Sequence, residues 1–342
     1  MRVLYSRPLT APKIPLPQNF HQVEDESDLS WRLAQRFPWA GRYSEHLAGL
    51  RLALALLSLR RRFDVVVTGR YGEWFALLQS FIPFGRRPHL LLDVEWYESH
   101  SSAWRRKFNR WLHRRIIQSA NRVQVFCQIE AHNYAAYFGV EESKFVWIPY
   151  CTDANPSAAA PAEDARFIFT SGVHQRDYQT MLAAVAGLPV ELRIAAPLAE
   201  FRFLEVPANV KLLGELPAGE YWKTLMSARF LVLSLRPETL RRPGVITYAG
   251  AMRMGKCAVV NDPAGAASYI RDGETGFLVP PAESGKLRDQ ICFLLDHPEV
   301  VNSVGRNAEE SARELFSVAQ YITGVENAVQ QTLVDSRRSV PQ

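Results

Sequence analysis

Short β-rich runs alternate with amphipathic helical segments along most of the chain, and this alternation limits the fold more than any other feature. Strands that alternate with helices form parallel sheets, because each helix returns the chain to the edge where the next strand begins. We therefore predict an α/β protein with doubly wound sheets. The runs predicted as strands are RVLYS, FDVVVTG, HLLLDVEW, RVQVFC and FVWIPY in the first half, and RFIFTSG, VELRIAA, VKLLG, RFLVLSL and CAVVND in the second.

A polar segment rich in Pro, Ala and Ser, DANPSAAAPAEDA (153–165), separates two series of strands and helices. At 342 residues the chain is longer than a single compact core usually is. We predict an N-terminal Rossmann-like domain at 1–155, a C-terminal Rossmann-like domain at 156–315, and a helix and tail at 316–342 that could pack back on the first domain. The predicted helices are Tyr43–Leu59, Ser101–Ser119, Ile129–Phe138, Tyr178–Ala186, Gly219–Ser227, Gly244–Met254, Ser284–Leu295, Val300–Phe316 and Val318–Val334.

The composition argues against a membrane span and against a cysteine-based site. The longest apolar run, Leu47–Leu59, is shorter than the roughly 20 residues that a spanning helix needs, and it contains Arg51. Prolines interrupt the N-terminal stretch where a secretion signal needs an apolar core, so we expect a cytoplasmic protein. The four cysteines form no CxxC pair, which favours small buried side chains over a zinc or redox site.

A net charge of +5 indicates an anionic partner, and the basic excess lies mainly in the first half of the chain. It is dense from Trp104 to Ile117, where Trp104, Phe108 and Trp111 recur at helical spacing among basic residues. Two interpretations stay open: a helix lying on an anionic membrane at its inner face, or a domain helix with its aromatic face on the sheet. We expect no nucleic-acid partner, because the segment has no base-reading motif.

Loops that follow the strands are the places to look for chemistry, since ligands bind beyond the carboxyl ends of strands in such sheets. In TSGVHQRDY (170–178), Gly172 would let the backbone approach a ligand. Arg176 stands beside a helix start whose N–H groups could hold a diphosphate. The alternative is an ordinary turn, with Asp177 capping the helix and Arg176 in solvent.

Two further loops in the second half carry candidate ligand-binding groups. RPETLRRPGVITYAGAM (236–252) places Glu238, Arg241 and Arg242 before a helix that Gly244 allows to start close to a ligand. These charges could equally lie on the surface as weak local pairs. In DPAGAASYIRDGETGFLVPP (262–281), the amide of Gly265 could face a phosphate or sugar.

Candidate acceptor-binding groups follow two strands of the first half. Arg70 follows FDVVVTG, and Asp93, Glu95 and His100 lie in or after HLLLDVEW. Carboxylates just past a strand end can hold sugar hydroxyls or act as a base. A lone Asp or Glu at such a place is more often a helix cap or an ion-pair partner.

The second half of the chain resembles the donor-binding domain of the retaining GT-B glycosyltransferases of family 4, the glycosyl transferases group 1. The motifs that carry the resemblance are AMRMGKCAVVNDPAGAASYIRDGETGFLVPP (251–281), KFVWIPYCTD (144–153) and SGVHQRDYQTML (171–182). The resemblance implies two Rossmann-like domains that face a cleft. It also implies transfer of a sugar with retention, from a nucleotide-diphosphate sugar to an acceptor hydroxyl, without a bound metal or other cofactor.

The sequence departs from the family at several of its functional positions. Two glutamates separated by seven residues usually contact the transferred sugar and the donor ribose, and the matching residues here are Arg242 and Gly250. Val173 stands at the position of a diphosphate-binding arginine, for which Arg176 could substitute. The resemblance thus implies a catalytic set of Arg176, Arg241 and Arg242. The residues expected at the donor are Gly172, His174, Glu238, Gly244, Val245, Ile246 and Gly265.

The resemblance points to a glycosyltransferase that builds a cell-surface polysaccharide or glycolipid. Two alternatives stay open because the paired glutamates are missing: an inactive GT-B protein that acts as a partner or scaffold, and a sugar-nucleotide epimerase. The donor nucleotide, the sugar, the acceptor and the oligomeric state do not follow from the residues.

Overall fold

The structure of the chain is a computed structural model. It describes residues 1–6, 17–23, 41–69, 71–82, 84–94, 96, 102–152, 166–237, 240, 244–261 and 263–338. The chain divides into two compact units: unit 1 is Met1–Pro149 with Tyr321–Gln342, and unit 2 is Tyr150–Gln320. Each unit is built on its own parallel sheet.

Unit 1 contains a six-stranded sheet in the order β2-β1-β3-β4-β5-β6, and all the neighbouring strands are parallel. β1 and β3 are buried throughout, which matches the apolar run VLY in β1 and the β-branched run VVVT in β3. The elements of this unit, in chain order, are β1 (Val3–Ser6), β2 (Phe20–Val23), α1 (Gly41–Leu59), β3 (Val65–Thr68), α2 (Gly72–Ser80), β4 (His89–Leu91), α3 (Ala103–Ser119), β5 (Arg122–Val125), α4 (Gln128–Phe138) and β6 (Phe145–Trp147).

Unit 2 contains a second six-stranded parallel sheet in the order β12-β11-β10-β7-β8-β9. Its elements are β7 (Phe167–Ser171), α5 (Tyr178–Val185), β8 (Glu191–Ala195), β9 (Val210–Leu212), α6 (Ala218–Ser227), β10 (Leu231–Leu233), α7 (Val245–Arg253), β11 (Ala258–Val260), α8 (Pro263–Ala266), β12 (Phe277–Leu278), α9 (Ser284–Asp296) and α10 (Pro298–Leu315).

The last helix, α11 (Val318–Arg338), belongs mainly to unit 1. Gly324 lets it approach β6 closely, because a Cβ there would lie 2.9 Å from Cγ2 of Ile148. Near the helix end, Asp335 accepts a hydrogen bond from Nε of Arg122 at 2.8 Å and forms an ion pair with that guanidinium. Apolar contact and charge therefore both hold α11 on the first unit.

The predicted fold class is confirmed: the chain is α/β, with two parallel doubly wound sheets. Each run predicted as a strand contains one, and each predicted helix is present within a few residues of its bounds. Among the described residues, the elements that the sequence analysis missed are β2 and α2. β2 is a half-exposed edge strand of four residues, so it lacks the long apolar pattern on which the prediction relied.

The structure disagrees with one of the two interpretations of the basic helix α3, namely a domain helix with its aromatic face on the sheet. Trp104, Phe108 and Trp111 are 71%, 50% and 51% exposed, so their rings do not pack on the sheet. Only Ile116 and Ile117, in the last turn of the helix, are buried. α3 thus joins the core through its C-terminal end and leaves its first turns in solvent.

Within the described ranges, none of the helices combines the length and the apolar content required to cross a bilayer.

Candidate functional site

The order of strands in unit 2 reverses beside β7. The chain runs from β7 through β8 to β9 on one side, and then returns to place β10 on the other side of β7. In open α/β sheets, ligands bind beyond the carboxyl ends of the strands at such a switch point. The loops after β7 and β10 therefore form the candidate site.

The loop after β7 begins at Gly172, whose φ of +98° lies in the left-handed region. A Cβ at this position would lie 2.6 Å from Nη2 of Arg176, so a larger residue is excluded on two grounds. The hydroxyl of Tyr178 donates a hydrogen bond to the Gly172 carbonyl. Asp177 caps α5, since its Oδ1 accepts from the Thr180 amide at 3.0 Å. The Asp177 cap agrees with the alternative of an ordinary turn, whereas the position of Arg176 does not, because that alternative placed Arg176 in solvent.

Backbone hydrogen bonds join the loops after β7 and β10 to each other. The Arg236 amide donates to the Gln175 carbonyl at 3.0 Å, and the Asp177 amide donates to the Ser234 carbonyl at 3.0 Å. Asn261, fully buried just after β11, accepts from the Leu235 amide at 2.5 Å through its side chain. The site thus has a backbone framework that is fixed before any ligand arrives.

Arg176 is buried, with 8% of its surface exposed. Its guanidinium donates from Nε to the Ser171 carbonyl at 2.7 Å, from Nη1 to the His174 carbonyl at 3.0 Å, and from Nη2 to Thr247 Oγ1 at 3.2 Å. Burial lowers the pKa of Arg176, but an arginine keeps its proton at neutral pH.

No carboxylate of the described residues forms an ion pair with Arg176, whose three bonds go to neutral oxygens. A buried charge is costly unless an opposite charge compensates it. The carboxyl edge of β7 therefore carries a positive charge that the described part of the protein does not neutralise, and an anion bound there would.

Helix α7 starts beside this charge. Its N-cap Gly244 has φ +105°, and a Cβ there would lie 2.8 Å from Leu233 Cδ2. The Gly244 carbonyl accepts from the amides of Thr247 and Tyr248 at 2.9 and 3.1 Å. The amides of Val245 and Ile246 come earlier, where helix geometry provides no intrahelical acceptor. Such N–H groups favour an anion at the helix start.

Two aromatic residues of α6 close one side of the site. Tyr221 shares a hydrogen bond of 3.1 Å with Ser171 Oγ, and burial raises the pKa of its hydroxyl. Trp222 packs edge-on against Tyr221, with ring centroids 4.8 Å apart. Its indole also covers Gly250 of α7, where a Cβ would lie 2.7 Å from the ring.

The structure brings together Gly172, Arg176 and Gly244, along with the amides of Val245 and Ile246. The side chain of His174 is exposed on the loop after β7. Gly265 is buried in the short α8, which follows β11. Glu238, Arg241 and Arg242 lie outside the described residues.

On the acceptor side, Arg70, Glu95 and His100 also lie outside the described residues. Asp93 follows β4 with φ +58°, and its amide donates to Gln124 Oε1 at 3.0 Å. A group that the sequence analysis missed is Glu73, in the first turn of α2 after β3. Its Oε1 accepts from Trp96 Nε1 at 2.6 Å, and burial raises the pKa of the carboxyl group.

Ser171, Tyr221, Thr247 and Asn261 were also missed in unit 2. Each is a common residue type that gains its role only from a partner more than 20 positions away. A glutamate in the first turn of a helix that follows a strand was a signal for Glu73. No comparable signal marks the other four.

A comparison with protein families matches residues 196–311 to the family "Glycosyl transferases group 1". The matched range contains α6, Gly244 and α7, and therefore one side of the site. This segment is similar to the glycosyl transferases group 1. The resemblance seen in the sequence is confirmed at that level.

Known proteins similar to this chain include D-rhamnosyltransferase WbpZ of Pseudomonas aeruginosa, which is 29% identical over 153 residues. The alignment covers 44% of this chain and 38% of that relative, so the chain spans well under half of the relative's length. The predicted enzyme class, a glycosyltransferase of this family, agrees with the segment and with this relative.

Solved structures extend the similarity to nearly the whole chain. Anabaena Alr3699/HepE in complex with UDP has a TM-score of 0.68 at 15% identity, covering 96% of this chain and 100% of that one. Sucrose-phosphate synthase from Thermosynechococcus elongatus has a TM-score of 0.64 at 16% identity, covering 97% and 89%. The predicted GT-B fold is confirmed.

Proposed function

We propose that this chain is a retaining glycosyltransferase that moves a sugar from a nucleotide-diphosphate sugar to an acceptor hydroxyl. The observation that carries the proposal is the buried charge of Arg176, which no carboxylate of the described residues compensates, set between Gly172 and the start of α7 at the switch point of the sheet. A nucleoside diphosphate supplies the missing negative charge. The glycosyl transferases group 1 segment supports the same substrate class.

The chemical demand in such a transfer is to stabilise the charge that grows on the leaving diphosphate. Three hydrogen bonds hold Arg176 in place, so its charge needs no reorganisation as the sugar departs. The amides of Val245 and Ile246 add donors at the positive end of α7. Arg241 and Arg242 remain candidates for direct contact with the phosphates, and Glu238, His174 and Gly265 for the rest of the donor.

The nucleotide and the acceptor side are proposed from further observations. Crystal structures of Anabaena Alr3699/HepE contain UDP and UDP-glucose, which supports a uridine nucleotide as the first donor to test. For the acceptor we propose Arg70, Asp93, Glu95 and His100 at the carboxyl edge of the unit 1 sheet. Glu73 joins this group because it is buried and burial raises the pKa of its carboxyl group, which suits a residue that exchanges a proton with a substrate.

We further propose that the product is a cell-surface polysaccharide or glycolipid assembled at the inner face of a membrane, with α3 as the contact. The helix exposes Trp104, Phe108 and Trp111, and the rings of Trp104 and Phe108 stack with centroids 6.1 Å apart. Arg105, Arg106, Lys107 and Arg110 are exposed on the same turns. Exposed aromatic rings among cations suit a surface that is apolar below and anionic above.

The proposed activity is tested with UDP, GDP and ADP and with their sugar conjugates. Binding to the folded state raises the melting temperature, and sugar release shows turnover. Arg176→Lys keeps the charge, but a single ammonium nitrogen cannot occupy the positions of the three guanidinium nitrogens that donate these hydrogen bonds. We therefore expect the affinity for the preferred nucleotide to fall at least tenfold. The matched control is Arg313→Gln, which changes an arginine that is exposed on α10.

The outcomes separate the alternatives. If no member of the panel binds or is hydrolysed, the proposed function is wrong. Binding without sugar transfer to any acceptor would favour a scaffold protein, and a changed donor sugar without acceptor would favour an epimerase. An unchanged affinity in a folded Arg176→Lys variant would remove Arg176 from the site.

A further inference from the structure

We infer that Trp222 is the residue that contacts the nucleoside of the donor and that it does so with an apolar surface in place of a carboxylate. The inference rests on the proposed function, since it names what holds the nucleoside part of that donor. Trp222 lies in α6, whose neighbouring residue Tyr221 reaches Ser171 at the carboxyl end of β7. Its indole is thus at the edge of the sheet where the donor is proposed to bind.

The position of the indole relative to Arg176 follows from α7. Arg176 Nη2 donates to Thr247 Oγ1, and the Trp222 ring covers Gly250, three residues further along the same helix. Residues three apart share one helix face and lie about 5 Å apart. A nucleotide has a similar distance between its phosphates and its sugar. A donor whose diphosphate lies at Arg176 therefore has its nucleoside within reach of the indole.

Gly250 is what makes room for the ring. Any side chain at this position would begin 2.7 Å from Cζ3 and 2.8 Å from Cη2 of Trp222, closer than real side chains approach. Gly250 is also the position at which the resembling family carries a glutamate. The indole thus fills the space in which a carboxylate from α7 would extend toward the ligand.

This replacement changes the chemistry of recognition. An indole ring offers a flat apolar face and one N–H donor, and it accepts no conventional hydrogen bond. A glutamate accepts hydrogen bonds from ribose hydroxyls, and loss of a bond to a charged group lowers affinity by about tenfold or more. We therefore expect the site to bind nucleotides through contact with Trp222 and to be nearly insensitive to the 2′-hydroxyl.

The test measures dissociation constants of the full-length protein for UDP, GDP and ADP, for their 2′-deoxy forms, and for pyrophosphate. Wild type should bind the preferred nucleotide and its 2′-deoxy form within threefold of each other. Trp222→Ala should weaken that nucleotide at least tenfold and pyrophosphate less than threefold, with Trp222→Phe in between. Gly250→Ala, whose methyl group displaces the indole, should also weaken the nucleotide but not pyrophosphate.

Trp104→Phe is the matched control, because it removes an exposed tryptophan from unit 1. A nucleotide bound to Trp222 should also quench indole fluorescence in wild type and in Trp104→Phe, but not in Trp222→Phe. If folded Trp222 variants bind the nucleotide as wild type does, or if the 2′-deoxy form binds tenfold more weakly, the inference is wrong while the proposed function stands. If wild type binds neither pyrophosphate nor any nucleotide, the proposed function is wrong, and the inference about Trp222 is wrong with it.

Discussion

At the scale of single residues, the candidate site depends on glycines that place the backbone where a side chain would collide. Gly172 and Gly244 have left-handed φ values of +98° and +105°, and each faces an atom less than 3 Å from the position of a Cβ. Gly250 has a helical backbone, yet the Trp222 ring leaves no space for a side chain. The three glycines therefore serve different purposes. Gly172 provides the turn geometry, Gly244 lets a helix start close to the sheet, and Gly250 leaves room for an aromatic ring.

Gly172→Ala should destabilise unit 2 by about 3 kcal/mol, since the new methyl group meets both a left-handed backbone and the Arg176 guanidinium. Gly187→Ala is the control, because Gly187 also has a positive φ, +71°, but its Cβ would meet nothing within 4 Å. It should cost about 1 kcal/mol through backbone strain alone. Urea unfolding measures both, and equal losses would contradict the proposed collision with Arg176.

At the scale of secondary-structure elements, helices of similar amphipathic pattern behave differently. α10 carries its apolar residues on one stripe and buries them, with Val301, Val304 and Ala308 in the core. α3 has aromatic residues at the same kind of spacing but exposes them. The pattern predicts a helix in both cases, whereas burial depends on what the neighbouring elements cover.

The exposed face of α3 predicts binding to anionic vesicles. Wild type should sediment with vesicles of phosphatidylglycerol and phosphatidylcholine at 1:3 and release as salt rises, because cations contribute part of the attraction. Replacing Trp104, Phe108 and Trp111 by serine should reduce the bound fraction at least fivefold.

Phe203→Ser is the control for α3, since Phe203 is 92% exposed but lies in unit 2. It should leave vesicle binding unchanged. Equal binding by wild type and the triple variant, or binding to pure phosphatidylcholine at the same level, would contradict a membrane role for this face.

At the scale of the whole molecule, the two units differ in their buried titratable groups. Unit 1 holds two histidines that are kept neutral: burial lowers the pKa of His89 to about 3 and that of His113 to about 4. His89 bonds Thr68 through Nε2 at 2.7 Å, and its Nδ1 has no hydrogen-bond partner. In unit 2 the buried titratable group at the candidate site is a cation, Arg176.

Unit 1 should therefore lose stability as the pH falls from about 6.5. In the unfolded chain a histidine takes up its proton near pH 6.5, but folded His89 and His113 do so only near pH 3 and 4. Between these values the unfolded state binds more protons, so each histidine removes up to roughly 1.4 kcal/mol per pH unit. Urea unfolding at pH 7 and pH 5, with hydrogen exchange read separately for β3–β4 and β7–β8, measures the effect.

His89→Gln keeps a polar group beside Thr68 and should reduce the acid dependence of unit 1, leaving the part that His113 contributes. His132→Gln is the control, because His132 is exposed in the same unit. The same acid slope in wild type and a folded His89→Gln variant would show that His89 does not cause it.

The sequence by itself determined the architecture, because local patterns carry it. Unbroken apolar runs such as LVL in β10 and AVV in β11 predict buried parallel strands, and the residues between them predict helices. It also predicted the loops after β7 and β10 as the place for chemistry, through Gly172, Arg176 and Gly244. These predictions depend on the spacing of residue types along the chain, which can be read directly from the sequence.

Only the tertiary structure decided what those residues contact. Arg176 was predicted either to meet a diphosphate or to lie in solvent; it does not lie in solvent but is buried, with hydrogen bonds to Ser171, His174 and Thr247. In the sequence, Gly250 stands where the resembling family has a glutamate. In the fold, the Trp222 ring packs directly against this glycine. Such contacts join residues 28 and 71 positions apart, and their geometry is set by how strands and helices pack rather than by any local preference.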